Sequence, residues 1–242
     1  MNFNEHFFVH HDKHLVFFPI NKNASTTFIQ FFKKKSEWEH TNQMTNDLYS
    51  YHMFAHIQNP KLRYIKGIAE LLDTTKSVSM LTSSPGNLLA LRLYHDKHLI
   101  SISDMFGDLV ETINFIPIEG NSSVVIYDFL RVFDIDYPEL LNHRNSNVSN
   151  ERKKEIHRKI DNLLMTVRGK AIYQDKVAGA YRHDHALWLK AHKNVGMWPY
   201  VSTYQQKLDA RTNLEKELNA FRIDQSAKYP PTVWEKLRDI FS

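Results

Sequence analysis

Lys22, Ser25, Thr26 and Thr27 lie within six residues of one another, where an apolar run gives way to a polar one. In HLVFFPINKNASTTFIQFF, residues 14–32, the apolar run 15–20 stops at Asn21-Lys22-Asn23-Ala24, and a helix is expected to open at Ser25. Strand, elbow and helix start together aim backbone N–H groups at one spot and add partial positive charge. The guest that suits such an elbow is a phosphate or a sulfate. Lys22, inside the elbow, is placed to meet an anionic oxygen, bound or departing. The same residues also suit an ordinary strand-to-helix turn capped by Ser25.

A nucleotide-kinase loop of the GxxxxGK[ST] type is excluded. That loop needs glycines ahead of its lysine so that the backbone can curl around phosphates. Here no glycine precedes Gly67, and the lysine comes before the small residues. A second segment, YHMFAHIQNPKLRYIKGIAELL over 51–72, reads as a strand at 53–58, a turn at Asn59-Pro60 and a helix over 62–72. Leu62, Ile65, Ala69 and Leu72 recur at helical spacing and are expected to face the core, with Arg63, Lys66 and Glu70 on another face. Pro60 suits a first helical turn, where its missing N–H costs nothing.

The order Lys22-Asn23-Ala24-Ser25-Thr26-Thr27 resembles the 5'-phosphosulfate loop of sulfotransferases that use 3'-phosphoadenosine 5'-phosphosulfate (PAPS). In that family a strand ends in proline, then lysine, then small and hydroxyl residues that open a helix. Pro19 stands one position farther from the lysine than in the commonest form. The second segment resembles the family's Arg-Asp-Pro strand end, with Pro60 at the proline and Arg63 at the arginine that follows it. Gln58 occupies the place of the first arginine and Lys66 that of a serine, the family's two ligands for the nucleotide 3'-phosphate. A neutral amide thus replaces a bidentate cation, while Lys66 returns positive charge from one turn into the helix. Residues 113–119, ending in Glu119, resemble the next family strand, and 127–138 its helix and loop. His143-Arg144-Asn145-Ser146-Asn147 resembles the loop that closes over the nucleotide, with Asn145 matched and the serine displaced. Residues 172–188 resemble the family's terminal helix, so the likeness runs in order from 14 to about 188.

The resemblance implies an α/β fold: a P-loop-NTPase-like three-layer sandwich with a central parallel sheet and a helical C-terminal extension. It implies one domain over 1–242, with the family-like core at 1–188 and the extension at 189–242. It also implies an enzyme that transfers a sulfuryl group in line from PAPS to an acceptor hydroxyl or amine, leaving 3'-phosphoadenosine 5'-phosphate (PAP). Lys22 is then the catalytic cation. The donor-binding residues are Lys22, Asn23, Ala24, Ser25, Thr26, Thr27, Gln58, Arg63, Lys66, Arg144 and Asn145. A general base must reach the acceptor proton, and His52, His56, His98, Asp104 and Glu119 all remain open for that role. The acceptor, a small molecule or a carbohydrate, is not specified. Gln58 and the displaced serine leave a second reading, a nucleotide-binding or interaction protein of the same fold without catalysis. A different phosphotransferase is a third.

Composition narrows the classes. The 242 residues suit one domain with a filled core. There is no cysteine, which excludes disulfides and thiolate metal sites. The 31 Lys and Arg against 27 Asp and Glu leave +4, which suits an anionic pocket without implying nucleic acid. The apolar runs fall well short of the roughly 20 residues that span a bilayer, and the N-terminus does not read as a signal peptide. A cytoplasmic protein without a membrane partner is expected. His10, His11 and His14, and His183 with His185, lack metal-site spacing, so no metal is expected.

The elements that must position these residues follow from periodicity. Strands are expected over 7–9, 15–20 and 53–58, with a further one at 124–127 or at 115–118; helices are expected over 26–35, 62–72 and 85–94. Beyond 150 the chain reads as helical, with Ile156, Ile160, Leu163 and Val167 on one face and Tyr173, Val177, Ala180 and Leu187 on another. Alternating elements predict a parallel sheet, with ligands beyond the carboxyl ends of the strands, where Lys22 and Gln58 both fall. Past Trp188, an aromatic loop at 197–200 and a polar helix at 205–221 suit a helical extension, an acceptor lid or a homodimer contact.

Overall fold

The computed structural model describes residues 6–23, 25–74, 79, 99–118, 122–142, 151–195, 203, 206 and 209–217. Five strands form one sheet: β1 (Phe7–His10), β2 (Leu15–Phe18), β3 (Glu39–Thr41), β4 (His52–Ile57) and β5 (Ile113–Pro117). Their order is β3-β1-β2-β4-β5. β2, β4 and β5 are parallel, with Phe17 opposite Phe54 and Ala55 opposite Phe115. β1 is antiparallel to both β2 and β3.

The sheet is therefore mixed, not purely parallel. Only four residues, 11–14, join β1 to β2, and a link that short can join antiparallel neighbours only. β3 carries no apolar signal, and pairing with β1 defines it, through Phe7 with Thr41 and Val9 with Glu39. The strand expected at 124–127 or 115–118 is the second of these, as β5. Residues 124–127 instead belong to a helix, Ser122–Arg131, whose buried Ile126, Phe129 and Leu130 follow the 3.6-residue repeat.

Both sheet faces are covered, which explains why β1, β2 and β5 are buried along their whole length. On one face Phe8, Phe17, Phe54 and Ile116 pack under α1 (Ser25–Phe32) and α4 (Ser122–Arg131). On the other, Phe18, Met53, Ile57 and Phe115 pack with α3 (Ile102–Phe106) and α7 (Arg182–Lys193). A third cluster joins α2 (Pro60–Thr74) to α5 (Glu151–Met165) through Tyr64, Ile68, Ile156 and Ile160. A short α6 (Val167–Ile172) and a π-helical turn (Tyr173–Ala178) lead into α7.

Two expected faces rotate once this packing is in place. Leu62 is 40% exposed, whereas Arg63 is fully buried, because α2 is covered by α5 and its buried stripe widens to take in the next residue. Leu164 takes the buried position expected of Leu163, and Val167 is 88% exposed. The helical repeat is reset there: α5 ends at Met165, and the Thr166 hydroxyl caps α6 by accepting from the Gly169 N–H at 3.0 Å. The expected helix over 85–94 and the aromatic loop at 197–200 lie outside the described residues. Within the polar stretch 205–221, residues 209–217 are helical.

Gly169 is the tightest point of that corner. A Cβ there would lie 1.9 Å from the Leu163 carbonyl oxygen, a backbone atom that cannot swing aside. Gly169→Ala should therefore destabilise the fold by about 1–3 kcal/mol, as overpacking does. A urea midpoint equal to that of the unsubstituted protein would show that the corner relaxes freely.

Candidate functional site

The elbow after β2 is a strained turn held from below. Lys22 has φ +65°, a left-handed conformation that side-chain-bearing residues rarely adopt. Two amide side chains fix it. Asn23, fully buried, donates from Nδ2 to the His56 carbonyl at 2.7 Å. Gln58 donates from Nε2 to the Lys22 carbonyl. Both bonds are made at the carboxyl end of β4, through the His56 carbonyl and Gln58, and α1 opens at the buried Ser25 with Thr26 exposed next in sequence. Thr27 follows in the same helix.

Gln58 makes two bonds at once. Its Oε1 accepts from Lys66 Nζ at 2.8 Å while its Nε2 serves the elbow. A guanidinium has five donors and no acceptor, so it cannot bridge a carbonyl and an ammonium in this way. The amide and the lysine therefore work as a pair. Lys66 is drawn to the elbow from one turn into α2, which starts with Pro60 and is capped by Asn59 Oδ1 accepting from the Lys61 N–H at 3.0 Å.

More charge arrives from α5, which sequence reasoning did not assign to this site. Lys22 Nζ lies 3.0 Å from Glu70 Oε2, and Lys153 Nζ lies 3.1 Å from the same oxygen. Lys153 also reaches Asp73 at 3.7 Å, where Arg152 pairs at 3.2 Å. Burial alone would raise the Glu70 carboxyl, but hydrogen bonds and charge from Lys22 and Lys153 outweigh it and hold it at about 2. His157, half-buried one turn beyond Lys153, is pushed below its ordinary range first by burial and then by Lys66, Lys22 and Lys153. Lys22, Lys66, Arg152, Lys153 and His157 thus meet two carboxylates, leaving positive charge at the carboxyl end of the sheet. The i, i+4 spacing of Lys153 and His157 was the available signal.

Arg63 takes a different place from the one its spacing suggests. It is fully buried; its Nε donates to the Asn21 carbonyl at 3.4 Å, and its guanidinium lies 3.8 Å from Asp184. Asp184 accepts from the Ile102 N–H at 2.9 Å and the Ser103 N–H at 3.3 Å. Burial pushes the Asp184 acid up, against the pull of those bonds and of Arg63. Arg63 is a strut between the elbow, α3 and α7, not an exposed clamp.

The described candidates for the general base are not gathered at Lys22. His52 opens β4, so about 20 Å of strand separates it from Gln58, and its ring packs on Phe133 at 5.3 Å. His56 is enclosed between Phe28 at 4.3 Å and Phe17 at 5.2 Å, with neither ring nitrogen hydrogen-bonded. Asp104 is exposed and joins Ser101 in capping α3, on the wall of a cavity of about 550 Å³ away from the elbow. Ala24, His98, Glu119, Arg144 and Asn145 lie outside the described residues. Among the described residues no cluster of three His, Asp or Glu comes together as a metal site, and no helix is long and apolar enough to cross a membrane.

No protein-family model, curated protein or solved structure matches this chain.

Burial holds His56 neutral, with its pKa lowered to about 3. The unfolded chain takes that proton near 6.5, so the unfolded state binds more protons below this pH. The stability that neutral His56 confers is complete above about 6.5 and declines by about 1.4 kcal/mol per pH unit as the pH falls toward 3. Urea midpoints measured between pH 7 and 4 should fall less steeply for His56→Leu than for the unsubstituted protein. Parallel profiles would mean that His56 is protonated in the fold.

Proposed function

We propose that this protein is a PAPS-dependent sulfotransferase, built as a P-loop-like three-layer sandwich and acting in the cytoplasm. The observation that carries the reading is the convergence of Lys22, Lys66 and Lys153 on an elbow that opens α1, at the carboxyl ends of parallel strands. The donor fits this arrangement as a polyanion. Lys22 and the start of α1 suit its 5'-phosphosulfate, and Lys66 with Lys153 supplies 3'-phosphate contacts that the resemblance assigns to an arginine and a serine. Thr26 is exposed in the first turn of α1.

In that role Lys22 offsets negative charge as it grows on the oxygen between phosphate and sulfate. A fixed cation in a partly desolvated site is the largest kind of help available for such a step. Gln58 and Asn23 keep the elbow in the conformation that presents Lys22. Glu70 holds the lysine ammonium when no anion is bound, at 3.0 Å. The same pairing, together with Gln58 in place of arginine, favours the second reading, a nucleotide-binding protein without transfer.

Calorimetry with PAP separates a donor site from a fortuitous basic patch, and micromolar binding is expected. Lys66→Ala should weaken PAP far more than adenosine 5'-phosphosulfate, which lacks the 3'-phosphate; equal losses would remove Lys66 from that contact. Lys22→Ala should slow single-turnover transfer by about 10²–10³. A folded Lys22→Ala protein with an unchanged rate would take Lys22 out of the chemistry. PAP binding without any transfer would favour the non-catalytic reading.

A further inference from the structure

A cavity of about 590 Å³ opens between the start of α2 and the π-helical turn that precedes α7. Lys61, Arg182 and His185 line it, together with Tyr173, Gln174 and Asn59. Among the described residues that line it there is no aspartate or glutamate. We propose that this cavity binds a ring-bearing organic anion and that, given the sulfotransferase reading, it seats the anionic group of the acceptor.

The charge balance points to an anion. In the elbow cluster the ion pairs are internal: Lys22 and Lys153 share Glu70, and Arg152 holds Asp73. By contrast, neither Lys61 nor Arg182 forms an ion pair with any described residue. Uncompensated cations in a concave wall focus the field onto whatever enters. The side chains carry this site, not the helix start, because Asn59 already caps the first N–H groups of α2.

Size and lining point to a ring. The volume falls within the range of small-molecule sites and far exceeds a lone phosphate. The half-buried Tyr173 offers an aromatic surface, and the Gln174 amide both donates and accepts. Both residues belong to the π-helical turn, an irregularity that recurs at functional sites. Asn59 follows Gln58 directly, and Gln58 bonds the Lys22 carbonyl, so the cavity begins one residue from the elbow's anchor.

The test is calorimetry on the full chain with phenyl phosphate as the probe and phenyl glucoside as its neutral counterpart, with and without saturating PAP. Phenyl phosphate should bind at one site per chain and weaken with salt, while phenyl glucoside should not bind. Arg182→Gln and Lys61→Gln should each lower the affinity at least tenfold, whereas Lys22→Ala should leave it unchanged. PAP should not displace the probe. Absence of binding, or an affinity in both cavity variants equal to that of the unsubstituted protein, overturns the site. Displacement by PAP together with loss in Lys22→Ala would place the probe in the elbow cluster, which also overturns it. If PAP itself fails to bind while Arg182-dependent binding persists, the donor reading falls; the anion site then stands and its role as an acceptor site is discarded.

Discussion

Everything at the candidate site depends on how the end of β4 grips the turn after β2. Lys22 is held in a left-handed conformation, which costs on the order of 1–2 kcal/mol for a residue with a Cβ. Two buried amides offset that cost, Asn23 reaching the His56 carbonyl and Gln58 reaching the Lys22 carbonyl. Parallel pairing of β2 with β4 sets the distance, with Phe18 opposite Ala55. A slip in that register would pull both amides off their partners and release the turn. Sheet register and site geometry are therefore one constraint.

Gln58 also decides how charge is distributed. An arginine at its position would bring a second buried cation toward Lys66, and the two would repel. The amide can donate to the elbow and accept from Lys66 at once, so the lysine is drawn in rather than pushed away. The positive charge then rests on a flexible side chain at the surface of α2. Arg63, three residues earlier, serves the opposite purpose. Fully buried beside Asp184, it ties the elbow to α3 and α7. Removing either partner would strand the other's charge in the core, a larger loss than the pair's own net contribution.

Local pattern made much of this legible, and long-range packing accounts for most of the rest. The elbow between β2 and α1, the strand before Gln58 and the helix starting near Pro60 all show in residue type and spacing, because each depends on neighbours a few positions away. β3 did not show, since a three-residue polar strand exists only by pairing with β1. The burial of Arg63 did not show either, because nothing near it in sequence announces Asp184, more than a hundred positions later. Lys153 and His157 stand at i, i+4 spacing in the sequence, but nothing there assigns them to the site. That assignment needs α5 laid across α2, which the apolar residues Ile156 and Ile160 accomplish through Tyr64 and Ile68. The histidines and Asp104 were ambiguous for another reason: residue type shows which groups titrate, while strand direction and capping decide where they lie.

The arrangement around Glu70 explains how a cationic site can be both stable and receptive. Three ammonium groups gathered without a counter-charge would repel one another and loosen α5 from α2. Glu70 prevents that by holding Lys22 and Lys153 on a single oxygen. Both pairs are partly solvated, so each contributes no more than about 1 kcal/mol. A contact that weak is enough to order the lysines and small enough to exchange. On the proposed reading, a dianion with several acceptor oxygens would engage Lys22, Lys66 and Lys153 together, where one carboxylate oxygen serves two of them. That exchange would gain charge-assisted hydrogen bonds. The low pKa of Glu70 means that the carboxylate stays ionised across the neutral range, so the resting pairing does not change with modest shifts in pH.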